Sequence, residues 1–414
     1  MSPPVVALQC GVNSYPWGKN GSESLAAKLC EEGNGYSGED GPKSQFKINK
    51  EQSYAEMWMG DYPDLPSYIK SSGKSLKDFV EEDAEGWLGQ ATVKKFQNHD
   101  ILYPPKVLSI AKALPLQLHP NKELATELHK KDPENFTDPN HKPEIALALS
   151  KFEAFCGFKP LARIVKHLEK PAFEQFVPSS GLSSFDDKGL KSVVNKMLKA
   201  DDASVKKVYK EIISSSPGDW GSEDEYIPKL APRLAEQYSE ADPGTLVALI
   251  TMNYLVLQAG DSIYIPADGI HAYLAGDIIE CMARSNNVLN TGFCPRAERN
   301  SADLFCDTLT FKPHTPEECM LKPKDASGKT KVYSPPLSEF DVSETKLKGG
   351  EEDSLGSVAG SRIVLVTKGK GGLRVDGHDE KISEGQSFFV KAGSSVELKA
   401  AEGTDLLVHT FYNH

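Results

Sequence analysis

Gln117 and His119 stand two residues apart in a stretch where Leu114, Leu116 and Leu118 occupy alternate positions. Such alternation is strand periodicity, so the amide and the imidazole leave one face while the leucines pack behind. Alone, the pair could be no more than a strand end emerging into solvent. A second cluster follows at Asp138-Pro139-Asn140-His141-Lys142-Pro143-Glu144, where two prolines restrict the backbone around a cation and a carboxylate, just ahead of the apolar run Ile145, Ala146, Leu147. A third feature is His271, which the turn Pro266-Ala267-Asp268-Gly269 delivers to the start of the strand-like His271-Ala272-Tyr273-Leu274. Two imidazoles, one carboxylate and one amide oxygen make a four-ligand set that zinc accepts, provided its coordination can expand to admit water or substrate.

Those residues need a scaffold, and the periodicity changes character along the chain. From Ile101 to His119 the pattern is that of strands. From Pro160 to Leu255 it is helical, with Leu190, Val193, Val194, Met197 and Leu198 on one face, which predicts an inserted helical subdomain. From Tyr254 to Cys281 short alternating strands return. The stretch from Lys322 to Gly360, rich in Lys, Ser, Pro and Gly, reads as a linker with an exposed edge hairpin. A last β unit runs to His414 and contains Ile363, Leu365, Phe388 and Val390. Its Lys368-Gly369-Lys370-Gly371-Gly372 segment reads as a hairpin turn, since no helix with a Lys-Ser/Thr ending follows to make a phosphate cradle. A loose repeat joins the β regions: Gly260, Pro266, Gly269 and His271 resemble the second sequence motif of cupins, and Gly385, Lys391, Gly393 and Val396 nearly reproduce the spacing. The second copy has valine where the first has histidine, which predicts a second barrel without that ligand.

At 414 residues the chain exceeds one typical domain, and 39% hydrophobic with 26% charged residues suffices for a packed core. No run approaches the roughly 20 apolar residues of a membrane span, and the start lacks the charged and apolar regions of a secretory signal, so a cytoplasmic protein is expected. The seven cysteines form no Cys-x-x-Cys pair and read as reduced packing thiols. A net charge of −12 without a basic patch excludes nucleic acid as a partner, and an anionic substrate would need cations gathered locally.

The segments Tyr54-Ala55-Glu56-Met57-Trp58-Met59-Gly60, Leu116-Gln117-Leu118-His119-Pro120-Asn121-Lys122, Asn140-His141-Lys142-Pro143-Glu144 and His271-Ala272-Tyr273-Leu274-Ala275-Gly276-Asp277 are similar, in order, to the signatures of type I mannose-6-phosphate isomerases of fungal type. Tyr15-Pro16-Trp17-Gly18, Glu280-Cys281-Met282-Ala283 and Thr291-Gly292 resemble further family segments. The likeness is strong from Leu8 to Phe158 and from Gly260 to Pro295. It implies a mainly β fold with a helical insertion, in which two cupin (jelly-roll) barrels accompany an α-helical subdomain. The expected partition is a discontinuous catalytic cupin domain over residues 1–158 and 256–325, a helical insertion over 159–255 and a degenerate C-terminal cupin domain over 326–414. The implied function is an aldose–ketose isomerase interconverting D-mannose 6-phosphate and D-fructose 6-phosphate, working as a monomer on a sugar phosphate and supplying GDP-mannose synthesis.

The resemblance also implies one zinc ion per chain on Gln117, His119, Glu144 and His271, with Lys106, Lys142, Glu280, Arg296 and Trp17 around the substrate. Glu280 is the leading base: it lies nine residues beyond His271, and a turn at Ala275-Gly276-Asp277 would let the two face each other across paired strands. Lys142 is the polarising cation or second acid/base. The chain departs from the family pattern at Ser285-Asn286-Asn287 and Asn290, where relatives read Ser-Asp-Asn and then Arg, and at Pro115, where they carry serine. Arg296 falls where relatives carry lysine, and with Lys106 or Lys142 it is the expected phosphate partner. Two other readings stay open, a metal-binding cupin without turnover and an isomerase of another hexose 6-phosphate. His99, His129, His167, His314, His378, His409 and His414 read as surface histidines without a role, and Tyr54 to Gly60 as core packing near the pocket.

Overall fold

The structure, a computed structural model, describes residues 3–42, 44–337 and 339–413. It is mostly sheet. The largest sheet has 11 strands, and its axis is the twelve-residue strand His271–Met282. The first half of that strand pairs with Phe152–Phe158, and His271 itself also pairs with Gln117. The second half lies between Pro105–Ile110 and Glu144–Ala148. The change of partner falls at Gly276, whose φ is +127°; a Cβ there would lie 2.6 Å from the Lys151 carbonyl oxygen, so the kink requires glycine. The hairpin expected at Ala275-Gly276-Asp277 is therefore a bend within one continuous strand. It still brings Glu280 beside the strand that carries Glu144, but by curling the strand.

The alternation read at Leu114 to Leu118 has a clear physical result. Leu116 and Leu118 pack into one large apolar cluster with the helices Asp187–Leu198, Asp202–Ser214, Ile227–Gln237 and Pro243–Thr251. Gln117 is left on the opposite face. Asp186, Asp201 and Asp242 each cap a helix by accepting a backbone N–H with the side chain, which is worth about 1 kcal/mol per cap. Leu190, Val193, Val194 and Met197 are buried as their spacing predicts, and Leu198 is partly buried against them. No helix among the described residues is long and apolar enough to cross a membrane.

An eight-stranded sheet and a four-stranded sheet enclose a second core of Val364, Val366, Leu373, Phe388, Val396, Leu398 and Val408. Glycines with positive φ, Gly260 at +93° and Gly385 at +82°, precede the strands Ser262–Ile265 and Ser387–Val390, and the next strands begin at His271 and Val396. The sequence repeat thus has a structural counterpart, and Val396 is core where His271 is not. The expected edge hairpin is present as Lys324–Asp325 and Thr330–Tyr333. Asp341–Leu347, however, is an interior strand and no linker. Its buried Ser343, Glu344 and Thr345 hide it from an apolar pattern, and Thr345 bonds Thr330 across the pair at 2.8 Å. Within Lys368 to Gly372 only Gly369 is in the connection; Lys370–Val375 is a strand. The first strand, Val5–Gln9, joins this sheet through Ser387–Val390.

Candidate metal centre

Antiparallel pairing sets His271, Gln117 and Asn290 side by side across three strands, so their side chains share one face. Each imidazole is held from behind. His119 Nδ1 lies 2.7 Å from the Asn287 carbonyl oxygen and His271 Nδ1 lies 3.0 Å from that of Gly269. A carbonyl only accepts, so both Nδ1 atoms carry protons and both Nε2 atoms present lone pairs. Those lone pairs converge on Glu144, with His119 Nε2 3.1 Å from Oε1 and His271 Nε2 3.7 Å from Oε2. The Gln117 amide stands 3.2 Å from His271 Nε2, and an amide turned end for end offers its oxygen there.

His119, Glu144 and His271 are all fully buried, and their ligand atoms lie within 4.8 Å of one another. Burial and then the Lys142 charge push the His119 ring below its ordinary value, and burial pushes His271 down to about 4, so both are neutral. Burial raises the Glu144 carboxyl, but Lys142, His119 and His271 more than offset this and hold it well below the usual range. Among the described residues His119 Nε2 and Glu144 Oε1 make no hydrogen bond, although Lys142 faces Oε1 as an ion pair. Leaving such groups unsatisfied costs about 1–3 kcal/mol each, more for a charge. A cation among them removes that cost, and N, N and O donors with an amide suit zinc. The residues fit the ion.

The rigidity expected of the Asp138 to Glu144 turn comes from stitching as well as from its prolines. Asn287 Nδ2 donates to the Asp138 and Asn140 carbonyls at 2.7 and 3.0 Å, and Asn140 Nδ2 donates to the Arg284 carbonyl at 2.9 Å. The carbonyl that holds His119 therefore belongs to the segment that clamps the turn bearing Lys142 and Glu144. Asp268 links the other two stretches: its carboxylate accepts from the backbone and side-chain nitrogens of Asn121, each at 2.7 Å, and its own N–H donates to the His119 carbonyl.

Beside the cluster, cross-strand pairing lines up Trp58, Lys106, Glu280 and Ala146, and Glu144 lies two residues from Ala146 on the same face. Lys106 Nζ is 3.6 Å from Glu280, 3.7 Å from Glu56 and 3.9 Å above the Trp58 ring. Burial opposes its charge, but Glu56, Glu280 and Glu144 keep it above its ordinary value. Glu280 is raised to about 7, first by burial and then by Glu144, against the pull of Lys106. Lys142 Nζ is 3.2 Å from Glu144 Oε1.

The structure thus brings Gln117, His119, Glu144, His271, Lys142, Lys106 and Glu280 into one region. Trp17 is half-buried and stacks on the exposed Tyr15, with ring centres 5.8 Å apart. Arg296 is not gathered in: its side chain is 68% exposed and pairs with Asp202. Asn286 bonds Asp64 at the surface, and Asn290 keeps a buried Oδ1 without a hydrogen-bond partner beside Gln117. Sequence reasoning passed over Tyr273, whose hydroxyl donates to Glu144 at 3.2 Å, and gave Glu56 and Trp58 to packing. Tyr273 was legible, two residues after His271 on the same strand face. The Asn287 carbonyl was not, because a backbone group has no side-chain signature. Of the histidines read as surface residues, His167 and His409 are buried against Asp224 and Glu344, and His414 lies outside the described residues.

A family model for the catalytic domain of type I phosphomannose isomerase matches residues 5–161. Mannose-6-phosphate isomerase of Ogataea parapolymorpha is 34% identical, covering 94% of this chain and 93% of that protein. The same enzyme of Saccharomyces cerevisiae is 34% identical over 97% of both chains. A zinc-bound mannose 6-phosphate isomerase superposes with a TM-score of 0.82 at 25% identity, covering 99% of this chain and 100% of that one. Solved variants of phosphomannose isomerase from Salmonella typhimurium, superposing at about the same score, replace two lysines, a histidine, two glutamates and an arginine. Lysine to histidine, lysine to glutamate and glutamate to arginine have there the spacings of Lys106 to His119, Lys142 to Glu144 and Glu280 to Asn290 here, with asparagine in the arginine's place.

Proposed function

The chain belongs to the type I phosphomannose isomerase family, and on that premise we propose that it interconverts D-mannose 6-phosphate and D-fructose 6-phosphate through an enediol at one zinc site. Gln117, His119, Glu144 and His271 hold the ion. The observation that carries this reading is the convergence of two imidazole lone pairs and a carboxylate from three distant stretches, with His119 Nε2 and Glu144 Oε1 buried and, among the described residues, without a hydrogen bond. When bound, zinc supplies Lewis-acid polarisation and orientation of the sugar's oxygens.

The reaction moves hydrogen between C1 and C2 of the open-chain sugar. Glu280 takes the proton from one carbon and returns it to the other; its carboxyl, raised to about 7 by burial and Glu144, is poised for both directions. Lys106 anchors Glu280 and Glu56 in place. Lys142 supplies positive charge where the enediolate oxygen develops. Arg296 is the outer cation that would exchange Asp202 for the substrate's phosphate, and Trp17 lines the approach. We read residues 1–158 with 256–325 as the catalytic cupin domain, 159–255 as its helical insertion and 326–414 as the degenerate second cupin, on the strength of the Gly260 and Gly385 repeat, with the strand Val5–Gln9 lent to the second barrel's sheet. A monomer in the cytoplasm feeding GDP-mannose synthesis completes the proposal. The asparagine at position 290 favours one rival, a metal-binding relative without turnover. A coupled assay offering mannose 6-phosphate and glucose 6-phosphate in parallel, after chelation and after zinc add-back, decides: activity on mannose 6-phosphate alone, lost and restored with zinc, is expected, and its absence from the zinc-loaded protein removes the reading.

A further inference from the structure

A cavity of about 360 Å³ has none of the residues assigned to catalysis in its lining, which includes Cys156, Cys319, Gly269, Ile270, Lys312 and His314. Its two thiols come from distant parts of the chain. Cys156 is on the strand Phe152–Phe158, and Cys319 ends the short helix Pro316–Cys319. Cys319 Sγ donates to the Cys156 carbonyl oxygen at 3.3 Å, which sets the two residues against each other at the cavity wall. They are 4% and 6% exposed, so the cavity is what gives a small molecule access. Cys156 is also the direct cross-strand partner of His271, and the next residue, Gly157, donates its N–H to the Ile270 carbonyl at 2.9 Å. A sulfur displaced here moves the strand that backs a metal-ligating imidazole.

We propose that Cys156 and Cys319 are a peroxide-modified dithiol, which closes to a disulfide and in doing so loosens His271. A hydroperoxide small enough for the cavity is the oxidant. The Cys319 sulfur, as thiolate, attacks the distal peroxide oxygen; an S–O bond forms, the O–O bond breaks, and the departing hydroxide or alkoxide takes up the thiol's proton to give a sulfenic acid. The Cys156 sulfur then attacks Cys319 Sγ, the S–O bond breaks, and the leaving hydroxyl takes the Cys156 proton as water. The two sulfurs are oxidised by two electrons, and the peroxide is reduced to water or to an alcohol and water. Cys319 is suited to the first step because the Cys156 thiol beside it lowers its pKa against the opposing effect of burial, and the Asn253 amide nitrogen lies 3.8 Å from its sulfur.

The test treats the zinc-loaded protein with hydrogen peroxide and follows intact mass, disulfide-mapped peptides, retained zinc and isomerase activity, beside the Cys319→Ser and Cys319→Ala variants. Expected are a mass lower by two hydrogens, a Cys156–Cys319 linked peptide, and a loss of zinc retention and activity of roughly 10–100-fold, the range seen when the support of a metal ligand is disturbed. A phosphine reductant with added zinc reverses all of it, and neither variant shows the loss. Linkage elsewhere, such as Cys10 to Cys30, or no linkage, overturns the site. Linkage with unchanged zinc and activity, or equal loss in the variants, overturns the coupling to His271. The mass readouts need no substrate, so they stand or fall apart from the isomerase reading.

Discussion

Two buried carboxylates in this molecule have nearly the same company and opposite states. Asp224, in the helical region, is surrounded by Lys159, Arg163 and His167; Glu144, in the sheet, by Lys142, His119 and His271. Both oxygens of Asp224 are taken: Oδ1 by Lys159 at 2.8 Å and Arg163 Nη2 at 2.7 Å, Oδ2 by Arg163 Nε at 2.5 Å and His167 Nε2 at 3.0 Å. Glu144 Oε1 has the Lys142 ion pair at 3.2 Å but, among the described residues, no hydrogen bond, and it faces an imidazole nitrogen that has none either. Composition alone does not separate the two. A saturated cluster has nothing left to offer a ligand and acts as a clamp, whereas an unsaturated one holds its polar groups in wait at a cost in stability.

The contrast can be broken by changing each carboxylate. Glu144→Ala should abolish measurable turnover and zinc binding, while the zinc-free variant melts no lower than the zinc-free parent; metal analysis with calorimetry checks both. Glu280→Gln should lower kcat by about 10²–10⁴-fold with zinc content unchanged. In the parent, kcat/KM should rise with pH as Glu280 loses its proton, with a midpoint at or below about 7 because a cation near Glu144 favours the charged form; the variant should lack that acidic limb. Asp224→Asn should leave kcat near the parent value and destabilise by about 3–5 kcal/mol, since it strands Lys159 and Arg163 in a buried setting. An Asp224 variant that loses activity but no stability would erase the distinction.

The smallest effect sharpens the contrast within the clamp. Burial lowers Lys159 to about 8, against about 10.4 in an unfolded chain, so holding its charge costs stability in full below about pH 8 and progressively less as the pH rises toward 10. Asp224 has the opposite sign: its partners hold it well below the usual range, so its contribution is present above the unfolded value and fades as the pH falls toward the folded one. Lys159→Met should therefore cost less than half of what Asp224→Asn does and should remove the alkaline rise from a denaturant-derived stability profile.

The same contrast explains what the sequence could convey. Gln117 with His119 was legible because alternation of leucines fixes a strand face, and His271 because a Pro/Asp/Gly turn fixes where a strand starts. The helical stretch was legible from Leu190 to Leu198 by its spacing. Lys159 and Asp224 were not, because a buried ion cluster is assembled from residues that each look like solvated charges. Asp341–Leu347 failed for a related reason: Thr345 bonds Thr330 and Glu344 faces His409, partners that only the folded chain supplies. Arg296 was selected by correspondence, and nothing in its local pattern indicated that Asp202 would hold it at the surface.

The pairing of Val5 with Val390 has a consequence for biosynthesis. Val5–Gln9 must wait for Ser387–Val390, synthesised far later, before this pairing can form, a contact of extreme sequence separation that delays completion of the fold. Until then its backbone is an open edge, available to another nascent chain or a chaperone. Premature termination ahead of Ser387 would therefore leave Val5–Gln9 without this partner, damage far from the missing residues.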